Sequence, residues 1–288
     1  MSKAAVRAIR AFQAFADTGL RGRITKGFLS GLLKLIRPRA KVIDDNLKIA
    51  YPDSSEKWRK DIRAQVYENL AWTLTEALAL QRDPKQALTW VKKVHRLEMV
   101  DGLLDSRKGV LFLAAHFGNW ELLASWYAQY AAKWGTKLCS IIKEQSDKDI
   151  SNYIDEIRRN SGIEFVSKDE SVLKLVRMLK GGAHMSEMGD VAGVGEIMVP
   201  FMGADATNMA GPAVLAMLSG APIVPVTIYR NAPFEHEIEF FEPLKMPDSS
   251  LSHEERMRAI LLECNKAIEL FIRKRPELWF WLHKRWRP

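Results

Sequence analysis

The chain has 288 residues, 47% of them hydrophobic and 27% charged. That balance excludes wholesale disorder, and the length supports a sizeable core without covalent staples. Two cysteines, Cys139 and Cys264, exclude a disulfide framework and a multi-cysteine zinc site, and they fit a reducing compartment. The net charge is +8, unevenly placed: residues 1–41 carry ten basic side chains and one acid, residues 271–288 six and one, so the ends hold +14 and the middle −6.

Residues 4–15 and 24–36 read as amphipathic helices, the second broken by Arg37-Pro38-Arg39. Residues 1–40 are therefore read as a basic amphipathic segment ahead of one domain over 41–288. Phe12, Phe15, Leu20, Ile24 and Phe28 interleave with its basic residues, as Trp279, Phe280, Trp281, Leu282 and Trp286 do at the far end. Tryptophan beside Lys and Arg suits the headgroup zone, so both ends are read as contacts to an anionic membrane surface. A solvated basic helix is the plainer reading. Nucleic acid is not expected, because no recognition pattern accompanies the basic and aromatic residues. No signal peptide is expected. The longest uncharged stretch, residues 206–229, is punctuated by Gly211-Pro212, Gly220-Ala221-Pro222 and Pro225, so no membrane span is expected there.

Residues 56–80 read as one long helix and 84–99 as another. The texture changes at Lys108-Gly109. Val110 to Ala115 (VLFLAA) reads as a buried strand, then a helix over 120–132 and a strand over 138–142. A helix over 150–159, a strand over 163–166, a helix over 171–179 and a strand over 183–187 follow. A glycine-rich loop leads to a helix over 208–218. Strands over 223–229 and 237–241 and a helix over 253–274 complete the chain. Strands alternating with helices imply a largely parallel central sheet flanked by helices, an α/β fold with a helical N-terminal extension. Ligands of such sheets sit beyond the carboxyl ends of the strands.

There is no GxSxG elbow, no GxxxxGK[ST] loop and no HExxH. His116 stands apart, just beyond an apolar strand, with Gly118 permitting a tight turn and Glu121 five residues on. A carboxylate folded back on an imidazole fixes its tautomer and raises its basicity, so the pair can take a proton from a substrate hydroxyl. His184 reads as packed inside a strand. His283 reads as structural, and His95, His236 and His253 belong to no cluster.

His116-Phe117-Gly118-Asn119-Trp120-Glu121 resembles the HxxxxD/E box of the glycerolipid acyltransferase superfamily, in the form found in the lipid A late acyltransferases of lauroyl/myristoyl type. Asp45 to Pro52, Arg159 with Gly162, Val199 to Gly203, Gly211-Pro212-Ala213, Gly220 to Pro225 and the Pro276–Trp286 tail resemble further blocks of that family, over residues 40–288. One segment departs. Where the family has an LPDQD-like run, this chain has Glu187-Met188-Gly189-Asp190, with Glu187 matched to the first acid and Asp190 nearby.

The resemblance implies an O-acyltransferase that needs no cofactor or metal. It would move a fatty acyl chain from acyl carrier protein, or from coenzyme A, to a hydroxyl of a phosphorylated glycolipid acceptor of the lipid A type. It would work peripherally on the cytoplasmic face of the inner membrane. His116 would be the base, Glu121 its orienting partner, and Arg159 the oxyanion or phosphate ligand, with Arg158 as its competitor. Asn119 and Trp120 would shape the turn and the wall. Glu187, with Asp190 close by, would bind the acceptor or hold Arg159. Met198, Met202, Met209 and Met217 would line a core or an acyl groove. The alternatives are another acceptor (a glycolipid, a phosphatidylinositol mannoside or an aminolipid), a thioesterase-like hydrolase, and a non-catalytic module that binds membrane or carrier protein.

Overall fold

A computed structural model describes residues 19–142, 162–167, 170–193 and 197–286. The helices expected over 4–15 and 150–159 lie outside the described residues, as do Arg158 and Arg159.

Helices α1 (Leu20–Ile36), α2 (Ala40–Ala50) and α3 (Glu56–Leu80) form the N-terminal part. Ser55 caps α3 by accepting from the Trp58 amide, at the turn where the sequence offers serines. A short α4 (Gln86–Trp90), strand β1 (Val91–His95) and α5 (Leu97–Ser106) follow. Then come β2 (Val110–Ala114), α6 (Trp120–Ala131), β3 (Leu138–Ile142), β4 (Ile163–Ser167), α7 (Val172–Lys180) and β5 (His184–Met188). The chain continues through β6 (Ile197–Phe201), β7 (Ala204–Asn208), α8 (Gly211–Ser219), β8 (Ile223–Ala232), β9 (Glu235–Phe240) and α9 (His253–Lys274).

Seven strands form one sheet in the order β1-β9-β8-β2-β5-β3-β4. All its pairs are parallel except β8 with β9. The all-apolar β2 lies between β8 and β5 and is buried along its whole length, as a central parallel strand must be. Its alternate residues feed two cores. Leu111, Leu113 and Ala115 join the core under α8, α9 and the C-terminal tail; Val110, Phe112 and Ala114 join the one under α4, α5 and α6. This is the expected α/β sheet, with helices on both faces.

Two segments differ from expectation. Residues 84–99 are not one helix, because β1 interrupts them and adds an edge strand beside β9. Lys92 and Lys93 are exposed there, and such charges protect a sheet edge while hiding its strand periodicity. The run between the glycine-rich loop and α8, to which the sequence pattern assigns no element, is a separate β6-β7 hairpin. Its turn is Met202-Gly203, both at positive φ (52° and 86°), a two-residue connection of the primed kind. Strand β7 therefore takes residue 208, and α8 starts three residues later than the apolar pattern suggests.

Candidate active site

The site follows from one register. Strands β2 and β5 run parallel, with Ala114 opposite Met188. Two residues further along each chain stand His116 and Asp190, at the carboxyl edge where open α/β sheets place their ligands. The Gly189 amide donates to the Ala114 carbonyl at 2.9 Å, carrying the pairing one step past the strands. A Cβ on Gly189 would lie 2.5 Å from Leu113 Cδ1 and 2.9 Å from Ile268 Cδ1, so a larger residue there would make those two side chains shift.

Asp190 meets His116 twice. Its Oδ1 lies 2.9 Å from His116 Nδ1, and its Oδ2 accepts from the His116 amide at 2.9 Å. Oδ2 also accepts from Trp279 Nε1 at 2.8 Å. Asp190 is fully buried, whereas 22% of the His116 side-chain surface remains open. Burial alone would lower the His116 pKa. The charge and hydrogen bond of Asp190 outweigh it, Glu121 adds a charge contribution, and the pKa ends above the ordinary value. Burial would raise Asp190, but His116, His283 and the Trp279 donor hold it well below the usual carboxylate range. With Nδ1–H directed at Asp190, Nε2 is the nitrogen left for a substrate proton.

The carboxylate on the imidazole is thus Asp190, where sequence proximity points to Glu121. Asn119 caps α6 by accepting from the Leu122 amide at 3.0 Å, which puts Glu121 in the first turn of that helix. A carboxylate there is favoured by the helix N-terminus. Glu121 reaches His116 through charge.

The turn after His116 is clamped by the C-terminal tail. The Gly118 amide donates to the Leu278 carbonyl and the Phe280 amide to the His116 carbonyl, both at 2.9 Å, so Phe117 and Trp279 form an antiparallel bridge. Gly118 has φ +59°, and a Cβ there would lie 2.1 Å from the Ile228 carbonyl oxygen. Most of the tail is therefore core: Trp279, Trp281, Leu282 and Arg285 are buried, while Phe280 and Trp286 are half-buried. Arg285 donates to Asn208 Oδ1 at 2.7 Å and to the Thr207 carbonyl, and stacks over Phe201 at 4.6 Å.

A buried network supports the turn from behind, and nothing in the sequence pattern marks it. Asn119 Nδ2 donates to Glu76 Oε2 at 2.8 Å. Arg230 donates to both oxygens of Glu76, at 3.3 and 2.7 Å, and His236 Nε2 lies 3.1 Å from Oε1. Thr73 Oγ1 donates to the Gly118 carbonyl at 2.9 Å and accepts from Arg230 at 3.1 Å. Asn119 is thus buried and tied to both α3 and α6, and His236 lies beside the Glu76 carboxylate, a placement the sequence does not reveal.

Glu187 is buried and faces the opposite core. Its Oε2 has no hydrogen-bond partner among the described residues, and Oε1 lies where a Cβ on Gly211 would come within 2.3 Å. Burial pushes its pKa up to about 8. His184 is packed as expected, between Tyr127 and the Lys108 carbonyl. Met202 is buried in the core and Met198 is 40% exposed.

Trp120 lies against the His116 ring, with centroids 5.3 Å apart, and also lines an apolar crevice between α6 and the sheet. Phe112, Ala114, Leu123, Tyr127, Met188, Val226 and Phe240 are among its walls, around a volume of about 30 Å³, room for a water or two. Among the described residues no cluster of potential metal ligands occurs, and no helix is long and apolar enough to cross a membrane.

Residues 14–288 match the family model described as bacterial lipid A biosynthesis acyltransferase. The chain is also similar to the lipid A biosynthesis lauroyltransferase of Escherichia coli strain K12, with 21% identity over 258 residues, covering 88% of this chain and 81% of that protein.

Proposed function

The chain belongs to the bacterial lipid A biosynthesis acyltransferase family, and on that premise we propose that it transfers a fatty acyl chain from an acyl thioester to a hydroxyl of a lipid A precursor. The observation that carries the reading is the His116–Asp190 pair at the open edge of the sheet. His116 Nε2 takes the hydroxyl proton as the oxygen attacks the thioester carbonyl, the C–S bond breaks, and His116 returns the proton to the departing thiolate. Asp190 fixes the tautomer and stabilises the imidazolium. Glu121 supports the same charge from further off. Arg159 stands as the candidate ligand for the oxyanion or an acceptor phosphate, with Arg158 beside it in the sequence. Acyl carrier protein is the proposed donor, with coenzyme A as the other thioester that fits. The crevice beside Trp120 is apolar and adjacent to the base, and at about 30 Å³ it would have to widen to take an acyl chain.

Residues 1–40 form the membrane-associating segment in this reading. Leu20, Ile24, Phe28, Leu32, Leu35 and Ile36 are 39–80% exposed along one side of α1. The small polar side, with Gly22, Thr25 and Ser30, is buried instead. Lys26, Lys34 and Ser30 engage Glu68 of α3. A helix with its apolar stripe outward and exposed Arg21 and Arg23 nearby suits an anionic lipid surface on the cytoplasmic face of the inner membrane.

Mass spectrometry of lipid A and total lipids from cells expressing the wild type or His116→Ala tests the function. An added acyl chain on lipid A with the wild type alone is the expected result. A new acylated lipid of another kind would retain the chemistry and replace the acceptor. Identical profiles from two folded, membrane-bound proteins would overturn catalysis.

A further inference from the structure

His283 stands against the His116 ring, and the acyl-transfer reading gives it no task. The two imidazoles are T-shaped, with centroids 4.8 Å apart, and Phe280 packs on His283 at 4.7 Å. The backbone around it is pinned. Asn46 Nδ2 donates to the His283 and Trp281 carbonyls at 2.6 and 2.9 Å, and Arg39 donates to the Leu282 carbonyl at 3.0 Å. His283 Nε2 is buried and has no hydrogen-bond partner among the described residues. A buried polar atom left unpaired carries a desolvation penalty, and a fold that retains one beside its general base calls for a partner that arrives later. Burial is the main reason that the His283 pKa falls to about 4; His116 and Arg39 push the same way, against Asp190. The ring is therefore neutral at physiological pH, able to offer an N–H without competing for the proton that His116 takes.

We propose that His283 is a second catalytic histidine, whose Nε2–H donates to the thioester carbonyl oxygen as that oxygen gains charge. This rests on the acyl-transfer reading and adds a donor to it. As the acceptor oxygen bonds to the carbonyl carbon, the C=O electron pair moves onto oxygen. His116 holds the acceptor proton and His283 keeps its own. When the carbonyl re-forms, the C–S bond breaks and His116 protonates the sulfur. Bound substrate must first part the packing over this buried nitrogen, after which the donor is already desolvated when the charge develops.

The test uses the full-length protein in detergent–lipid micelles with an acyl thioester and a lipid A precursor, comparing the wild type with His116→Ala, His283→Phe, His283→Gln and His283→Asn. Phenylalanine keeps the ring packing and removes the nitrogen. Glutamine sets an amide nitrogen near the Nε2 position, and asparagine falls short of it. His283→Phe with wild-type Tm is expected to lose about 100-fold or more in kcat, with little change in KM, and His283→Gln to recover at least tenfold of that loss. Near-wild-type kcat in His283→Phe would reduce His283 to packing. Should His283→Phe lower Tm sharply, the shorter pair decides: His283→Gln at least tenfold faster than His283→Asn supports the proposal, and equal rates overturn it. A wild type no more active than His116→Ala sinks the acyl-transfer reading and this role with it. An active wild type matched by His283→Phe sinks the role alone.

Discussion

His116 can act as a base only when neutral, so the raised pKa places the acid limb of its rate profile above the ordinary imidazole value of about 6.5. Asp190→Asn removes the charge and the charged hydrogen bond that raise it. Burial, which lowers it, remains. The acid limb of kcat/KM should therefore move to lower pH while kcat falls by about 10²–10⁴-fold, because the imidazolium formed in the reaction loses its counter-ion. An unmoved limb would mean that Asp190 does not set the His116 pKa. The same pair stabilises the fold. Its contribution from His116 is whole below about pH 6.5 and fades as pH rises through the raised His116 value. The contribution from Asp190 is present above about pH 4 and lost on further acidification. The histidine was legible in the sequence because its box is local. The role of Asp190 is not legible there, because its partnership depends on the parallel register of two strands whose residues lie 74 positions apart.

At the level of elements, the apolar pattern located the main helices and strands, since a strand such as β2 or a long helix such as α3 records its own burial. It reads the two ends alike, and the structure separates them. Both carry aromatics among basic residues, and composition alone cannot separate a membrane face from a core that contains an arginine. In the tail the deciding partners (Phe201, Thr207, Asn208 and Asn265) are distant in sequence, and they bury Arg285 completely. On α1 the apolar stripe stays outside. Ile24→Gln with Phe28→Gln changes side chains that are 62% and 55% exposed, so Tm should hold within a degree or two. Binding to anionic vesicles should weaken by about tenfold or more, since each apolar side chain withdrawn from lipid forfeits about 1–2 kcal/mol. Unchanged co-sedimentation would show that this face does not meet lipid.

Across the whole molecule, the Glu76 network joins parts that no single element links: α3, the β8-β9 pair and the turn carrying Asn119. Glu76 and Arg230 are both sealed from water, and each is tolerable only because the other is present. Arg230, His236 and the Asn119 amide all converge on one carboxylate, and Arg230 with His236 holds its pKa far below normal against the effect of burial. Removing one partner differs from removing both. Glu76→Gln strands a buried guanidinium and should cost about 3–5 kcal/mol, read as a lowered denaturant midpoint. Arg230→Met should cost a similar amount by stranding the carboxylate. The double variant Glu76→Gln/Arg230→Met leaves neither charge exposed to the interior, so its loss should fall well short of the sum, a coupling of at least about 1 kcal/mol. Additive losses would mean that the two side chains act independently and that the close contacts carry little energy. The network also reaches the turn that follows His116. Asn119 caps α6 through Oδ1 and is anchored on Glu76 through Nδ2, and the carbonyl of the preceding residue, Gly118, is held by Thr73. The double variant, refolded stably, should therefore still lose acyl transfer more than it loses substrate affinity, because the imidazole is displaced from its working geometry while the apolar crevice stays intact.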